Sequence, residues 1–219
     1  MPPACLIAFD SAGFVPAAFQ DQGIDCPASI ARSVRKRQAE FFHGRLAARH
    51  AMAAQQIAPA AIAIGASREP LWPDGVIGSI THNNHIAAAV ALRRGPWSGV
   101  GIDIETVVQA DMQGALLTSV VTPAELAFLR ALDTSLPFEM LLTMVFSAKE
   151  SLFKGAFASV GSYFDFSAAE VCAVHHGPGP GYITLALTQT LSRDFIRSTE
   201  HRVYFDFPQA DAVLTCYAW

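Results

Sequence analysis

From about Ser29 to Gln56 the chain has no proline, is rich in Ala, Arg, Gln and Glu, and sets Phe41, Leu46, Ala47 and His50 at helical spacings. This pattern predicts one long amphipathic helix. Before it, residues 1–28 are rich in Pro, Gly and Ala and read as an irregular opening with a short strand at Leu6–Phe9. After it, Gly75–Thr81, Ile86–Leu92 and Gly99–Glu105 are short apolar runs bounded by Gly, Pro or polar residues, which read as three strands.

A second helical section opens at Thr122, where TPAE matches an N-cap threonine, proline at the first helical position and glutamate at the third. It ends before Pro137. Phe138 to about Phe157 is proline-free and carries Leu141, Val145, Ala148, Leu152 and Ala156 as an apolar helical stripe. Tyr182–Leu187, His201–Phe207 and Ala212–Tyr217 follow as candidate strands. The crude order is helix then three strands in each half, which predicts an α+β fold of two similar lobes, divided near residue 108 into 1–108 and 109–219.

The composition supports a folded chain. Of 219 residues, 52% are hydrophobic and 16% charged, the reverse of the balance that keeps a chain disordered. A net charge of -4 argues against general nucleic-acid binding, yet Arg32, Arg35, Lys36, Arg37, Arg45 and Arg49 fall within one stretch opposed only by Glu40. Cys5, Cys26, Cys172 and Cys216 form no CxxC or zinc pattern, so reduced cysteines are expected. No run reaches the roughly 18 apolar residues of a spanning helix, and no basic region precedes an apolar N-terminal core; both fit a cytoplasmic enzyme.

The candidate chemistry begins in VGIDIE, where Asp103 and Glu105 stand two apart and share a strand face. Two facing carboxylates suit a hard cation such as magnesium, although an isolated DxE is equally a solvated strand face. FSAKESLFK adds Glu150 together with Lys149 and Lys154, two of only three lysines in the chain. Glu150 and Lys154 are either an ordinary i,i+4 pair or part of a metal and phosphate site, which needs both charge signs. In GSITHNNH, Thr81 and His82 follow a short strand and are candidate phosphate contacts, with Arg37 and Arg45 from the first helix. Arg68 and Trp72, in REPLWPDG, offer a further cation and an aromatic wall, while Trp72 is equally explained as core packing.

Together VGIDIE, FSAKESLFK, GSITH and RKRQAEFFHGRLAARHA resemble the 4′-phosphopantetheinyl transferase superfamily, in its enterobactin-synthetase-component-D-like branch. The resemblance covers roughly residues 30–160. It implies the pseudo-twofold, two-lobed single-chain form, with the active site in the cleft between lobes and action as a monomer. It also implies magnesium-dependent transfer of the phosphopantetheine arm of coenzyme A to a serine of an apo acyl, peptidyl or aryl carrier protein, releasing adenosine 3′,5′-bisphosphate. By that resemblance Asp103, Glu105 and Glu150 are the magnesium ligands, Lys154 a catalytic cation that also touches phosphate, and Glu150 the candidate base, directly or through water. Arg37, Arg45, Arg68, Trp72, Thr81 and His82 border the coenzyme A. Thr81 stands where the family often has serine, and Phe146 where it often has tryptophan; each replacement keeps the hydroxyl or the aromatic ring.

Overall fold

The computed structural model describes residues 1–177 and 180–219. In chain order the elements are β1 (Cys5–Ala8), α1 (Ala18–Asp21), α2 (Ala28–Ala31), α3 (Arg35–Ala54), β2 (Ala63–Ile64), β3 (Pro70–Leu71), β4 (Val76–His82), β5 (Ile86–Arg93) and β6 (Val100–Thr106), followed by α4 (Gln113–Ser119), α5 (Pro123–Ala131), α6 (Phe138–Val160), β7 (Ala169–His175), β8 (Gly181–Leu187), β9 (Glu200–Gln209) and β10 (Ala212–Ala218). Two antiparallel sheets carry the fold, one ordered β1-β5-β4 and the other β6-β10-β9-β8-β7, with β2 and β3 forming a small hairpin. The long helix α3 packs on the first sheet and α6 on the second, giving two lobes in a pseudo-twofold arrangement.

The first long helix is broken where the sequence pattern predicts continuity. Val34 is extended, with ψ of 152°, and three residues separate α2 from α3. Gln38 holds the break together: its side-chain amide donates to the carbonyls of Ala31, at 3.1 Å, and Ser33, at 2.9 Å. These are backbone acceptors that a continuous helix would have satisfied itself. From Ala47 to Met52 the helix buries small residues against Ala89 and Ala91 of β5, so helix and sheet approach closely.

At Thr122 the predicted cap is present in full. The Thr122 side chain accepts from the Glu125 backbone, and the Glu125 carboxylate accepts from the Thr122 backbone at 2.8 Å. Helix α6 runs three residues beyond its predicted end and stops at Gly161, whose φ of 71° is the left-handed conformation that glycine adopts without strain.

Two expectations need correction. The second half contributes four strands rather than three, because β7 was not foreseen; its register shifts between Val171 and Ala173, and this bulge breaks the alternation that marks a strand. Strand β6, which the pattern grouped with the first lobe, pairs along its whole length with β10 in the second sheet, Asp103 opposite Thr215. Its other edge meets β4 without a ladder. There Ser79 Oγ accepts from the Ile102 amide at 3.1 Å, and Thr81 Oγ1 accepts from the Ile104 amide at 3.2 Å. Among the described residues no helix is long and apolar enough to cross a membrane.

Helix α6 crosses β6 at glycines. A Cβ at Gly101 would overlap the Ser151 carbonyl oxygen and the Gly155 amide nitrogen, and one at Gly155 would press on the Tyr217 ring and the Gly101 backbone. Alanine at 155 would gain about 1 kcal/mol of helix propensity, whereas forcing a methyl into packed surroundings costs about 1–3 kcal/mol. We therefore expect both Gly101→Ala and Gly155→Ala to lower Tm, Gly101→Ala the more because both obstructing groups are backbone. Gly114→Ala, in α4 with open space around it, should leave Tm unchanged or raise it. Thermal unfolding followed by circular dichroism checks all three, and a stabilised Gly101→Ala would refute the close crossing.

Candidate active site

The crossing of α6 on β6 puts Lys154 beside Asp103. Lys154 Nζ donates to Asp103 Oδ1 at 2.5 Å, and Thr81 Oγ1 donates to the same oxygen at 3.0 Å. Asp103 is almost fully buried, and its second oxygen, Oδ2, has no hydrogen-bond donor. A buried carboxylate left half-served is costly unless a proton or a cation completes it.

Glu105 and Glu150 complete the centre electrostatically. Burial, then the Asp103 charge, with Glu150 adding to them and Lys154 opposing, push the Glu105 carboxyl up to about 8. Burial raises Glu150 as well, partly opposed by Lys154 and reinforced by Asp103. Near neutral pH, then, a proton on Glu105 does what a cation could do. Among the described residues no three His, Cys, Asp or Glu side chains already converge on one point. The buried, donorless oxygen and the mutually repelling carboxyls nevertheless fit a hard divalent ion, which takes oxygen ligands and compensates their charge.

Behind the carboxylates lies a sealed set of hydroxyls. Ser147 Oγ donates to the Asp103 carbonyl at 3.2 Å and lies 2.8 Å from Thr215 Oγ1, which is 2.7 Å from Ser151 Oγ. These bonds fix α6 against β6 and β10 and hence the register of Glu150 and Lys154 opposite Asp103.

Three cavities, of about 360, 300 and 380 Å³, run side by side past this centre. The first is lined by Arg37, Glu40, Arg45, Arg68 and His82; the second shares Arg68, Pro70 and Ile80 with it and reaches Lys154; the third shares Phe153 and Tyr163 with the second and reaches Glu150. Three of the predicted phosphate contacts, Arg37, Arg45 and His82, thus line one chamber together with Arg68. Arg45 is held by its Nε donating to the Ile62 carbonyl at 2.9 Å and by its guanidinium lying 4.4 Å from the Phe41 ring centre. Burial, then Arg37, lower Arg45 to about 10, so it stays cationic at neutral pH. Arg68 has a φ of 69°, unusual for a residue with a side chain, in a turn closed by the Gly65 amide donating to the Glu69 carbonyl at 2.8 Å.

Four residues stand differently from expectation. His82 Nε2 lies 3.1 Å from Arg37 Nη1, and since a guanidinium only donates, the imidazole accepts there; burial lowers its pKa and favours that neutral form. Trp72 is not among the residues lining the three cavities; it packs under the first lobe against Gly78, where a Cβ would meet its ring. Thr81 is buried and turned onto Asp103 rather than toward the chamber. Lys149, grouped with Lys154 by sequence, is spent elsewhere: it is sealed in a pair with Glu125 at 2.8 Å, both side chains about 2% exposed, and donates to the carbonyls of Val120 and Phe166. Five positions along a helix turn two side chains to different faces. Glu40 was seen in the sequence only as an opposing charge, and nothing in its spacing marked it as a member of the chamber.

Two family models match the chain, the 4′-phosphopantetheinyl transferase N-terminal domain over residues 26–92 and the 4′-phosphopantetheinyl transferase superfamily over residues 99–212. Among similar curated proteins are enterobactin synthase component D of Salmonella typhi, 39% identical over 64% of this chain, and the 4′-phosphopantetheinyl transferases Svp of Streptomyces mobaraensis, 34% over 73%, and Npt of Nocardia iowensis, 34% over 65%. The matches span 57%, 63% and 62% of those relatives, less than two thirds of their length. The superfamily model alone spans more than half of the present chain and takes in Asp103, Glu105, Glu150 and Lys154, and the chain belongs to the 4′-phosphopantetheinyl transferase superfamily.

Proposed function

We propose that the chain transfers the 4′-phosphopantetheine arm of coenzyme A to a serine of an apo carrier protein, with magnesium, releasing adenosine 3′,5′-bisphosphate. The observation that carries this reading is the run of adjoining cavities that joins a chamber of three arginines to a lysine and carboxylate centre. Such a run suits a long ligand with phosphate at one end and a reacting pyrophosphate further along. Family membership and the similarity to enterobactin synthase component D support the same chemistry.

Asp103, Glu105 and Glu150 would hold magnesium, which when bound supplies positive charge against the pyrophosphate oxygens. Arg37, Arg45 and Arg68 would hold the terminal phosphate by charge-assisted bonds, with His82 beside them. Lys154 would oppose the charge that develops as the serine oxygen attacks the β-phosphorus and the bond to the adenosine bisphosphate breaks. Glu150 would take the serine proton, directly or through water; its raised pKa makes it a better base than an ordinary carboxylate. Along the chain the lobes divide near residue 108, while β6, which precedes that point, completes the second sheet by pairing with β10. Both lobes contribute to the site, so a single chain would act as a monomer, in the cytoplasm.

Purified protein, coenzyme A, magnesium and a panel of apo carriers should give a serine-linked mass increase matching phosphopantetheine; no increase with any competent carrier would sink the proposal. Lys154→Ala should lower transfer by about 10²–10³-fold, the scale of losing one aimed positive donor, and Asp103→Ala and Glu150→Ala at least as much, with circular dichroism unchanged. Retained activity would remove the assigned roles.

A pH experiment tests the metal site independently of transfer. Because the folded-state pKa of Glu105 is raised to about 8, the native protein keeps a proton that the unfolded chain loses above about 4.5, so stability falls as pH rises between those values. Without magnesium, Tm should drop from pH 6 to pH 8.5, and Glu105→Gln should flatten the drop. Magnesium should restore Tm at pH 8.5 more than at pH 6, where it must displace the proton. A drop of equal size in Glu105→Gln would show that the titrating group lies elsewhere.

A further inference from the structure

Within the cationic chamber stands one carboxylate. Glu40 projects from α3 one turn after Arg37, with a side chain only 12% exposed. Its contacts are loose and fall on one oxygen: Oε2 is 3.4 Å from Arg37 Nη1 and 3.8 Å from His82 Nε2, a neutral acceptor toward Arg37. Oε1 has no hydrogen bond among the described residues. A half-exposed arginine three residues away on the same helix makes a weak pair and leaves Oε1 free toward the chamber that Glu40 lines. A chamber built for phosphate alone would also exclude it, since it repels the ligand that Arg37, Arg45 and Arg68 attract. The arrangement suits a ligand that presents a phosphate and a neutral hydrogen-bond donor side by side.

We propose that Glu40 is a specificity-determining residue that accepts a hydrogen bond from the ribose 2′-hydroxyl at the adenosine end of the donor, next to the 3′-phosphate held by the arginines. The identity of the donor rests on the function proposed above. On that ligand the 2′-hydroxyl sits on the ribose carbon adjoining the one that bears the 3′-phosphate, so the two groups enter the chamber together. Acidic side chains serve ribose hydroxyls in the same way in other nucleotide sites. Reading both groups makes the chamber selective for a phosphorylated ribose over a bare anion.

Calorimetric binding of adenosine 3′,5′-bisphosphate and of its 2′-deoxy analogue to the whole chain tests this without a carrier or transfer. The wild type should prefer the hydroxyl-bearing nucleotide by about 10- to 100-fold, the range for a hydrogen bond to a charged group. In Glu40→Ala the ratio should fall to near one, and in Glu40→Gln, whose carbonyl still accepts a neutral bond, to a few-fold. If Glu40 only orients Arg37, Glu40→Ala will weaken both nucleotides alike and keep the wild-type ratio, which overturns the proposal. Equal affinity of the wild type for the two nucleotides, or binding of neither at millimolar concentration, overturns it too. Absent carrier modification with the ratios as expected would instead remove the transferase reading and leave the role of Glu40 standing.

Discussion

The site depends on how closely α6 lies on β6. Gly101 and Gly155 let a helix backbone touch a strand backbone, and the residue before Gly155 is Lys154. With side chains at those glycines the helix would ride higher and the ammonium would no longer meet Asp103. The hydroxyls of Ser147, Ser151 and Thr215 then fix the register along the crossing. Packing and electrostatics are therefore set by the same few residues, and the lysine and carboxylate contact is a consequence of a steric choice made one residue away.

The buried charges sort into two kinds. Glu125 and Lys149 are closed: each is satisfied by its partner and by backbone groups. Burying such a pair is costly, and its return is geometric, because it ties α5, α6 and β7 together. Asp103 is open, its Oδ2 buried without a hydrogen-bond partner. Incomplete satisfaction separates the carboxylate proposed to act on a ligand from the groups that hold the frame.

Much of this was legible in the sequence. The Thr122 cap, α6 and most strands followed from local pattern, and within the group of Asp103, Glu105, Glu150 and Lys154 the structure joins Lys154 directly to Asp103. What was not legible depended on long-range contacts. The break between α2 and α3 is stabilised by the side chain of Gln38, which carries no periodic signal. The bulge in β7 hid a strand. Lys149 and Lys154 are equivalent in a linear reading, and only Glu125 waiting on one side of α6 separates them. Trp72 could wall a ligand or fill a core, and the bare backbone at Gly78 gave it a place in the first lobe.

The seam between the lobes has a bearing on how copies of this chain meet one another. Strands β4 and β6 are each the terminal strand of a sheet and would ordinarily offer unpaired amides to a neighbouring chain. Here Ser79 and Thr81 occupy the amides of Ile102 and Ile104, so the two edges blunt each other without fusing into one sheet. The edges left at the far sides are β1, only four residues long, and β7, kinked by its bulge. Both are poor templates for strand addition, so the two larger sheets offer few open edges to another copy of the chain.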